Sequence, residues 1–138
     1  MTTTSAYLNF NGNCKEAFDY YQKVLGGEIP MSLTMGQAPD SDPNDPDKDK
    51  IMHTRLVLPS GSIIMGSDAM GNYYKTPQGF SVSIMLESAV DGKRIYDALA
   101  DGGQVQMPYE KTFWAEGFGA CVDRFGTPWM VNAGMVPF

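Results

Sequence analysis

The chain has 138 residues, of which 43% are hydrophobic and 19% charged, and its formal net charge is −6 at pH 7. This composition is typical of a single globular domain, and the negative charge argues against duplex nucleic acid or an anionic membrane as a partner, because both attract positive surfaces. No apolar run is long enough to span a membrane, and the first residues lack the basic and apolar regions of a secretion signal. We therefore expect a cytoplasmic protein in which Cys14 and Cys121 are reduced.

The first half of the chain predicts a strand, a helix and then three strands. An extended run over residues 5–10 precedes Asn13, whose spacing to Glu16 is typical of a helix cap with a reciprocal carboxylate. Apolar side chains then recur at helical spacing over residues 17–25, and Gly26-Gly27 is expected to end the helix, because the residue after a C-cap often needs a positive φ. The later extended runs of this half cover residues 28–36, 51–58 and 62–67.

Residues 37–50 differ from the rest of the chain. They contain three prolines and almost no apolar side chain, which predicts a solvated loop, either ordered or disordered. The alternating acidic residues suggest a calcium-binding loop, but the glycine and the distal glutamate of that motif are missing, so this interpretation is not favoured.

The second half of the chain repeats the order of the first. Residues 18–29 return in looser form as 94–105, and residues 60–67 return as 125–132. A long period that is present only twice indicates a duplicated module rather than an array. The predicted elements of this half are strands over 80–86, 104–107, 117–124 and 128–133 and a helix over 89–100.

These patterns predict an α+β fold class built from two βαβββ modules, about 4–67 and 79–134, within a single domain over residues 1–138. Hairpins follow the strands more often than crossover helices do, so a doubly wound parallel sheet is not favoured. The helices are expected to cover the outer face of a cupped eight-stranded mixed sheet. Its inner face would remain open, and we expect the two half-modules to form one site.

Several motifs together resemble a known family. They are Tyr7-Leu8-Asn9-Phe10-x-Gly12-Asn13-Cys14-x-Glu16-Ala17, Tyr20-Tyr21, Leu25-Gly26-Gly27, Ser67-Asp68, Thr112-Phe113-Trp114-Ala115-x-Gly117-Phe118-Gly119 and Asp123-x-Phe125-Gly126-x-Pro128-Trp129-x-x-Asn132. The chain resembles the PhnB-like branch of the vicinal oxygen chelate superfamily, which includes glyoxalase I, fosfomycin and bleomycin resistance proteins and extradiol dioxygenases. Similar sequences are often labelled demethylubiquinone 3-methyltransferase-like. The resemblance implies paired βαβββ modules, a small-molecule ligand and a homodimer.

Metal-dependent members of this superfamily hold a divalent ion with His, Glu or Gln side chains from four strands. Registration of helices and hairpins places the four positions of this chain on Ala6 or Tyr7, Met65 or Ser67, Ser81 or Ser83, and Met130 or Asn132. None of these residues is His, Asp or Glu, whereas hard and borderline cations prefer carboxylates and imidazoles. We therefore predict no catalytic metal and no other cofactor, although a divalent metal remains the alternative.

Aromatic and polar side chains near the motifs are the candidates for lining a ligand site. They are Tyr7, Asn9, His53, Ser67, Phe80, Trp114, Phe118, Trp129 and Asn132. A cleft with apolar walls and a few fixed polar groups is the usual form of a small-molecule site. The alternative is that the rings fill a core, which we favour for Trp129 and weigh equally with lining for Trp114.

Two residues are candidate catalytic groups. His53 is the only histidine, and an imidazole is the side chain whose ordinary pKa lies near neutrality. We favour a half-buried, hydrogen-bonded structural role for it, with acid–base catalysis as the alternative. Asp68 is the other candidate base.

The function that we predict is binding of a small molecule by a PhnB-like protein without a catalytic metal. The alternative is a lyase, isomerase or dioxygenase of the glyoxalase type, and a further one is a drug-binding protein similar to those of bleomycin resistance. Methyl transfer is not favoured, because donors of the adenosylmethionine type usually sit on a strand–glycine loop–helix unit, and Gly117-Phe118-Gly119 lies between strand patterns.

Overall fold

Each half of the chain folds into the same succession of strand, helix and three strands. The computed structural model describes residues 1–136 and divides the chain into two compact units, Met1–Lys75 and a second unit that begins at Thr76. The boundary falls between the two predicted modules, and we call the units module one and module two. The predictions of an α+β fold class and of paired βαβββ modules are confirmed. Within residues 1–136, no helix has the length and apolar character needed to cross a membrane.

Module one contains a mixed four-stranded sheet and one helix. Its elements are β1 (Ala6–Phe10), α1 (Cys14–Leu25), β2 (Glu28–Thr34), β3 (Ile51–Val57) and β4 (Ile63–Asp68). The strand order is β1-β4-β3-β2, with β1 parallel to β4 and the other neighbours antiparallel. The first and last strands of the module are therefore neighbours.

Module two repeats this topology. Its elements are β5 (Val82–Leu86), α2 (Ala89–Ala100), β6 (Gln104–Glu110), β7 (Ala115–Val122) and β8 (Pro128–Met135). The strand order is β5-β8-β7-β6, and β5 runs parallel to β8. Among residues 1–136 the eight strands hydrogen-bond as two sheets of four, one in each module, rather than as one continuous ladder of eight.

The helix of module one packs on one face of its sheet. Phe18 and Tyr21 of α1 are buried, and so are Leu8 and Phe10 of β1, which alternate with outward residues along the strand. Gly66 of β4 lies on this covered face, where a Cβ atom would stand 2.6 Å from Phe18 Cε1. A glycine is therefore needed for the phenyl ring to reach the sheet.

The helix of module two covers its sheet in the same manner. Leu99 and Ile95 of α2 are buried, together with Trp129 and Val131 of β8. Tyr96 of α2 donates through its hydroxyl to the carbonyl oxygens of Met107, at 2.9 Å, and Ala120, at 3.3 Å. Apolar burial and these bonds fix α2 over the sheet.

The Gly-Gly pairs that end the helices have the same structural role in both modules. A Cβ atom at Gly27 would lie 2.2 Å from the carbonyl oxygen of Val57, and one at Gly103 would lie 2.1 Å from that of Val122. Such distances are far inside van der Waals contact, so only glycine allows the chain to leave each helix this close to the neighbouring strand.

The first helix is capped differently from the prediction. Asn13 precedes α1, but its side chain makes no capping hydrogen bond. The backbone N–H of Cys14 instead donates to Oδ1 of Asp68, at 3.0 Å. Sequence spacing suggested a local cap at Asn13, whereas the acceptor comes from the end of β4.

The loop between β2 and β3 is a succession of turns. The backbone N–H groups of Met35 and Gly36 donate to the carbonyl oxygens of Lys50, at 2.8 Å, and Lys48, at 2.7 Å. These bonds hold the two ends of the loop together, so the ordered form of the prediction applies.

Candidate functional site

The face of the module-one sheet that α1 does not cover carries most of the predicted polar residues. The strand registers place four residues in one row across the sheet, in the order Tyr7, Met65, Arg55 and Met31. They also pair Asn9 with Ser67 and His53 with Leu33. Paired residues in neighbouring strands point to the same side of a sheet. We call this set the module-one face, defined by Tyr7, Asn9, Met31, Leu33, His53, Arg55, Met65 and Ser67. Its members are exposed or half-buried.

Tyr7 and His53 form a pair across this face. The Tyr7 hydroxyl lies 3.1 Å from His53 Nδ1, and the two rings are stacked with centroids 5.7 Å apart. When the hydroxyl donates to Nδ1, the imidazole carries its proton on Nε2. The pair is solvent-accessible, since Tyr7 is 44% exposed. It therefore offers a ligand one phenol and one imidazole N–H in a fixed relation.

Arg55 is a residue of this face that sequence analysis missed. It lies two residues beyond His53 on β3 and is half-buried. Its Nε atom is buried and has no hydrogen-bond partner among residues 1–136. The alternation of β3 could have shown that His53 and Arg55 share a face, but only the structure shows that the guanidinium makes no ion pair within residues 1–136.

Asp68 is not on the module-one face. The carboxylate is 6% exposed and accepts two backbone hydrogen bonds, from Cys14 N to Oδ1 at 3.0 Å and from Ile51 N to Oδ2 at 2.8 Å. It ties the start of α1 to the start of β3. This geometry is that of a structural carboxylate with both oxygens engaged, which favours a structural role for Asp68 over the role of a base.

The face of the module-two sheet opposite α2 carries a smaller polar set. Asn132 Nδ2 donates to Ser83 Oγ at 3.1 Å, from β8 to the neighbouring β5. Phe118 pairs with Asn132 across β7 and β8, and the Trp114 ring packs edge-on against Phe118 with centroids 5.2 Å apart. Asn132 and Phe118 are 8% and 4% exposed, so they are less accessible than the pair in module one.

The two remaining candidates occupy different places. Phe80 lies before β5 instead of within a strand, is 51% exposed and lines an open groove of about 480 Å³ with Met130 and Val122. Trp129 lies on the helix-covered side, is fully buried and donates through Nε1 to Asp123 Oδ2 at 2.8 Å. Although Trp129 stands among the candidates for ligand lining, its burial agrees with the core role that the sequence analysis favoured for it.

The residues at the expected metal positions do not fit a divalent cation. Tyr7, Met65 and Ser67 lie on the module-one face, and Ser83, Met130 and Asn132 lie on the corresponding strands of module two. Phenol, thioether, hydroxyl and amide groups are poor ligands for a hard or borderline ion without a carboxylate or imidazole. In the part of the chain that the structure describes, no three His, Cys, Asp or Glu side chains are grouped to hold an ion.

The two cysteines are buried thiols. Burial, with the charge of Asp68 adding to it, raises the pKa of the Cys14 thiol, and burial, with the charge of Asp123 adding to it, raises the pKa of Cys121 to about 11. Reactive cysteines need the thiolate form near neutral pH. Neither cysteine is therefore a candidate nucleophile.

Comparison with known proteins places the chain in a family. The sequence pattern of the 3-demethylubiquinone-9 3-methyltransferase family matches residues 2–132. Protein YjdN of Escherichia coli (strain K12) is 40% identical over 136 residues, which span 93% of this chain and 92% of YjdN. Protein PA1353 from Pseudomonas aeruginosa has 44% identity and a TM-score of 0.85, with 96% and 98% of the two chains covered.

More distant structures show the fold. The putative 3-demethylubiquinone-9 3-methyltransferase, PhnB protein, from Bacillus cereus has 23% identity and a TM-score of 0.78, with coverage of 96% and 99%. A glyoxylase/bleomycin resistance protein/dioxygenase domain from Frankia sp. EAN1pec has 15% identity and a TM-score of 0.68, with coverage of 97% and 98%. The chain therefore belongs to the 3-demethylubiquinone-9 3-methyltransferase-like (PhnB) family and has the fold of the glyoxalase/bleomycin resistance superfamily.

Proposed function

We propose that this chain binds a small organic molecule on the module-one face and does so without a catalytic divalent metal. The observation that carries the proposal is the Tyr7–His53 pair, an accessible polar group that is fixed by a hydrogen bond and lies beside Arg55, Asn9 and Ser67. Thioether and aliphatic side chains from Met31, Met65 and Leu33 lie in the same rows of the sheet. Apolar walls with a few placed polar groups are typical of small-molecule sites.

The methyltransferase in the family's name does not enter this proposal. Gly117 and Gly119 lie inside β7, where Tyr109 and Tyr96 pack close to them. They are needed for close packing of these rings against the sheet rather than for a loop that cradles a nucleotide. In the sheet orders of both modules, each helix is followed by an antiparallel hairpin, which is not the parallel arrangement that adenosyl cofactors use.

The experiment that tests the proposal is a thermal-shift screen of a small-molecule library against the purified protein, preceded by elemental analysis. Binding of a compound to the folded state raises the melting temperature in proportion to the logarithm of its concentration. Tyr7→Phe and His53→Ala should abolish the shift caused by a hit. Tyr73→Phe is the matched control, because Tyr73 is 87% exposed and lies outside the module-one face.

Two results would contradict this proposal. One is a divalent ion bound at about one per chain after purification or soaking, which would favour the metal-dependent lyase, isomerase or dioxygenase. The other is a set of hits whose shifts survive both Tyr7→Phe and His53→Ala, which would place the ligand elsewhere.

The Tyr7–His53 hydrogen bond also favours a second function, which is metal-free acid–base catalysis. An imidazole held by a phenol has one nitrogen fixed by the hydrogen bond and the other directed away from it, which is an arrangement that general acid–base catalysis uses. Turnover of a 2-oxoaldehyde–thiol adduct by metal-free protein, lost in His53→Ala and retained in Tyr73→Phe, would support it. A compound that binds in the thermal-shift assay and is recovered unchanged would favour binding alone.

A further inference from the structure

Arg55 differs from the arginine and lysine side chains that form ion pairs. The ion pairs within residues 1–136 join Lys15 to Asp19, Lys93 to Asp97 and Arg124 to Asp101, all on exposed surfaces. Arg55 takes part in none of them, and its buried Nε atom lacks a hydrogen-bond partner in the same range. Arg55 is half-buried, yet none of the acidic residues within 1–136 forms an ion pair with it, although the full chain has 16 of them.

This arrangement is unfavourable for the isolated protein. A guanidinium that has lost part of its hydration needs a carboxylate or other acceptors to offset that loss. The acidic residue closest to Arg55 in the strand register is Glu28, which is exposed, pairs with Val57 and makes no ion pair with Arg55. Nε itself is buried, so a ligand would place its acceptor at the terminal Nη groups of this half-buried side chain and so offset part of the lost hydration.

The residues around Arg55 indicate what kind of ligand fits. Met31 and Met65 are its cross-strand partners, so the Arg55 side chain stands in one row of the sheet with two thioether side chains. His53 shares its face, and in the tautomer that accepts from Tyr7 it offers a second N–H donor through Nε2. Arg55 and His53 are donors, and the apolar side chains of Met31, Met65 and Leu33 lie in the same rows of the sheet.

From this geometry we propose that the ligand of the module-one face is an organic monocarboxylate, whose carboxylate is held by Arg55. The inference rests on the proposed function and specifies its substrate class. Arginine presents a planar fork of N–H donors that matches the two oxygens of a carboxylate. The apolar body of the ligand would contact Met31 and Met65.

A single negative charge fits better than two. Arg55 supplies one fixed positive charge to this face, and the chain as a whole carries a net charge of −6. A phosphate monoester brings close to two negative charges, so the net negative charge of the protein would repel it more strongly than a monocarboxylate. The carboxylate is therefore the preferred anion over the phosphate.

The test compares matched probes with the full chain. Binding of benzoate, phenylacetate and hexanoate is measured by calorimetry and thermal shift, beside their neutral amides and phenyl phosphate. We expect the carboxylates to bind most tightly. Arg55→Met should weaken carboxylate binding by roughly 10- to 100-fold and leave amide binding unchanged, and Arg55→Lys should fall between, since it keeps the charge and loses the fork.

A measurement without ligand guards against misfolding of the variants. We expect Arg55→Met to melt at a temperature equal to or above that of the wild type, because it removes an unpartnered cation and keeps an apolar stem. A large fall in melting temperature would assign Arg55 a structural role and overturn the inference. Tyr73→Phe serves again as the reference variant.

The outcomes separate this inference from the proposed function. Amides that bind as tightly as carboxylates, with shifts that depend on Tyr7 and His53, would overturn the monocarboxylate and leave the ligand site in place. Tighter binding of phenyl phosphate than of benzoate would also overturn it. If neither these probes nor library compounds bind, both proposals fail.

Discussion

Replacement of Asp68 by asparagine tests whether this carboxylate is structural. In the wild type, its two oxygens accept the backbone N–H groups of Cys14, at 3.0 Å, and Ile51, at 2.8 Å, in an environment that is 6% exposed. An asparagine keeps one acceptor and turns an amide NH₂ toward the other N–H. Because a hydrogen bond to a charged group contributes about 1.5–3 kcal/mol, and a buried donor is left unsatisfied, we expect a loss of about 2–3 kcal/mol.

The assay is urea unfolding followed by far-ultraviolet circular dichroism, together with thermal melting. A loss of this size should lower the melting temperature by roughly 6–12 °C for a domain of this length. Asp19→Asn is the matched control, since the Asp19 carboxylate is exposed and pairs with Lys15 on the helix surface, where we expect a change below about 0.5 kcal/mol. An Asp68→Asn protein as stable as this control would refute the structural role.

Three further changes probe the core and the backbone. Gly27→Ala should lower the free energy of unfolding in urea by more than about 3 kcal/mol, because its Cβ would lie 2.2 Å from the carbonyl oxygen of Val57. Gly61→Ala is the control, since Gly61 has a φ of +93 but open space around it, and it should cost about 1 kcal/mol. Similar losses in the two variants would contradict the close approach of Gly27 to Val57. Trp129→Phe should lower the free energy of unfolding by about 2–4 kcal/mol, because it removes both the indole donor to Asp123 and part of the core volume. A loss below about 1 kcal/mol would argue against the buried position of the Trp129 ring. The free energy of unfolding should fall between pH 8 and 10, because the Cys121 thiol ionises near pH 9 in the unfolded chain, whereas its pKa in the folded protein is about 11. Cys121→Ala should reduce that fall by about 1 kcal/mol. A variant with the same pH profile as the wild type would contradict the raised pKa of Cys121.

The elements could be predicted from the sequence because their signals are local. Helical spacing over 17–25 and the paired glycines gave both helices to within a residue, and the internal repeat gave the module topology. The prediction for Phe80 failed at the boundary of β5, where the alternation of the sequence continues past the hydrogen-bonded ladder.

The candidate site was less predictable because it depends on which strands are neighbours. In the sheet, β4 lies between β1 and β3 although it comes last along the chain of the module, and this order places Tyr7 within reach of His53. Trp129 and Asn132 stand in the same motif, but their odd separation along β8 places them on opposite faces of the sheet. The missing partner of Arg55 has no sequence signal, since sixteen acidic residues could have supplied one.

The pairing of the first and last strands in each module has a consequence for biosynthesis. Strand β1 leaves the ribosome first, yet β4, the neighbour to which it hydrogen-bonds, is the last strand of the module to be made. Until β4 arrives, Leu8 and Phe10 have no neighbouring strand against which to be buried, so a nascent chain that ends before β4 exposes these apolar side chains. Once residues up to Lys75 have emerged, module one can close while the ribosome still holds module two.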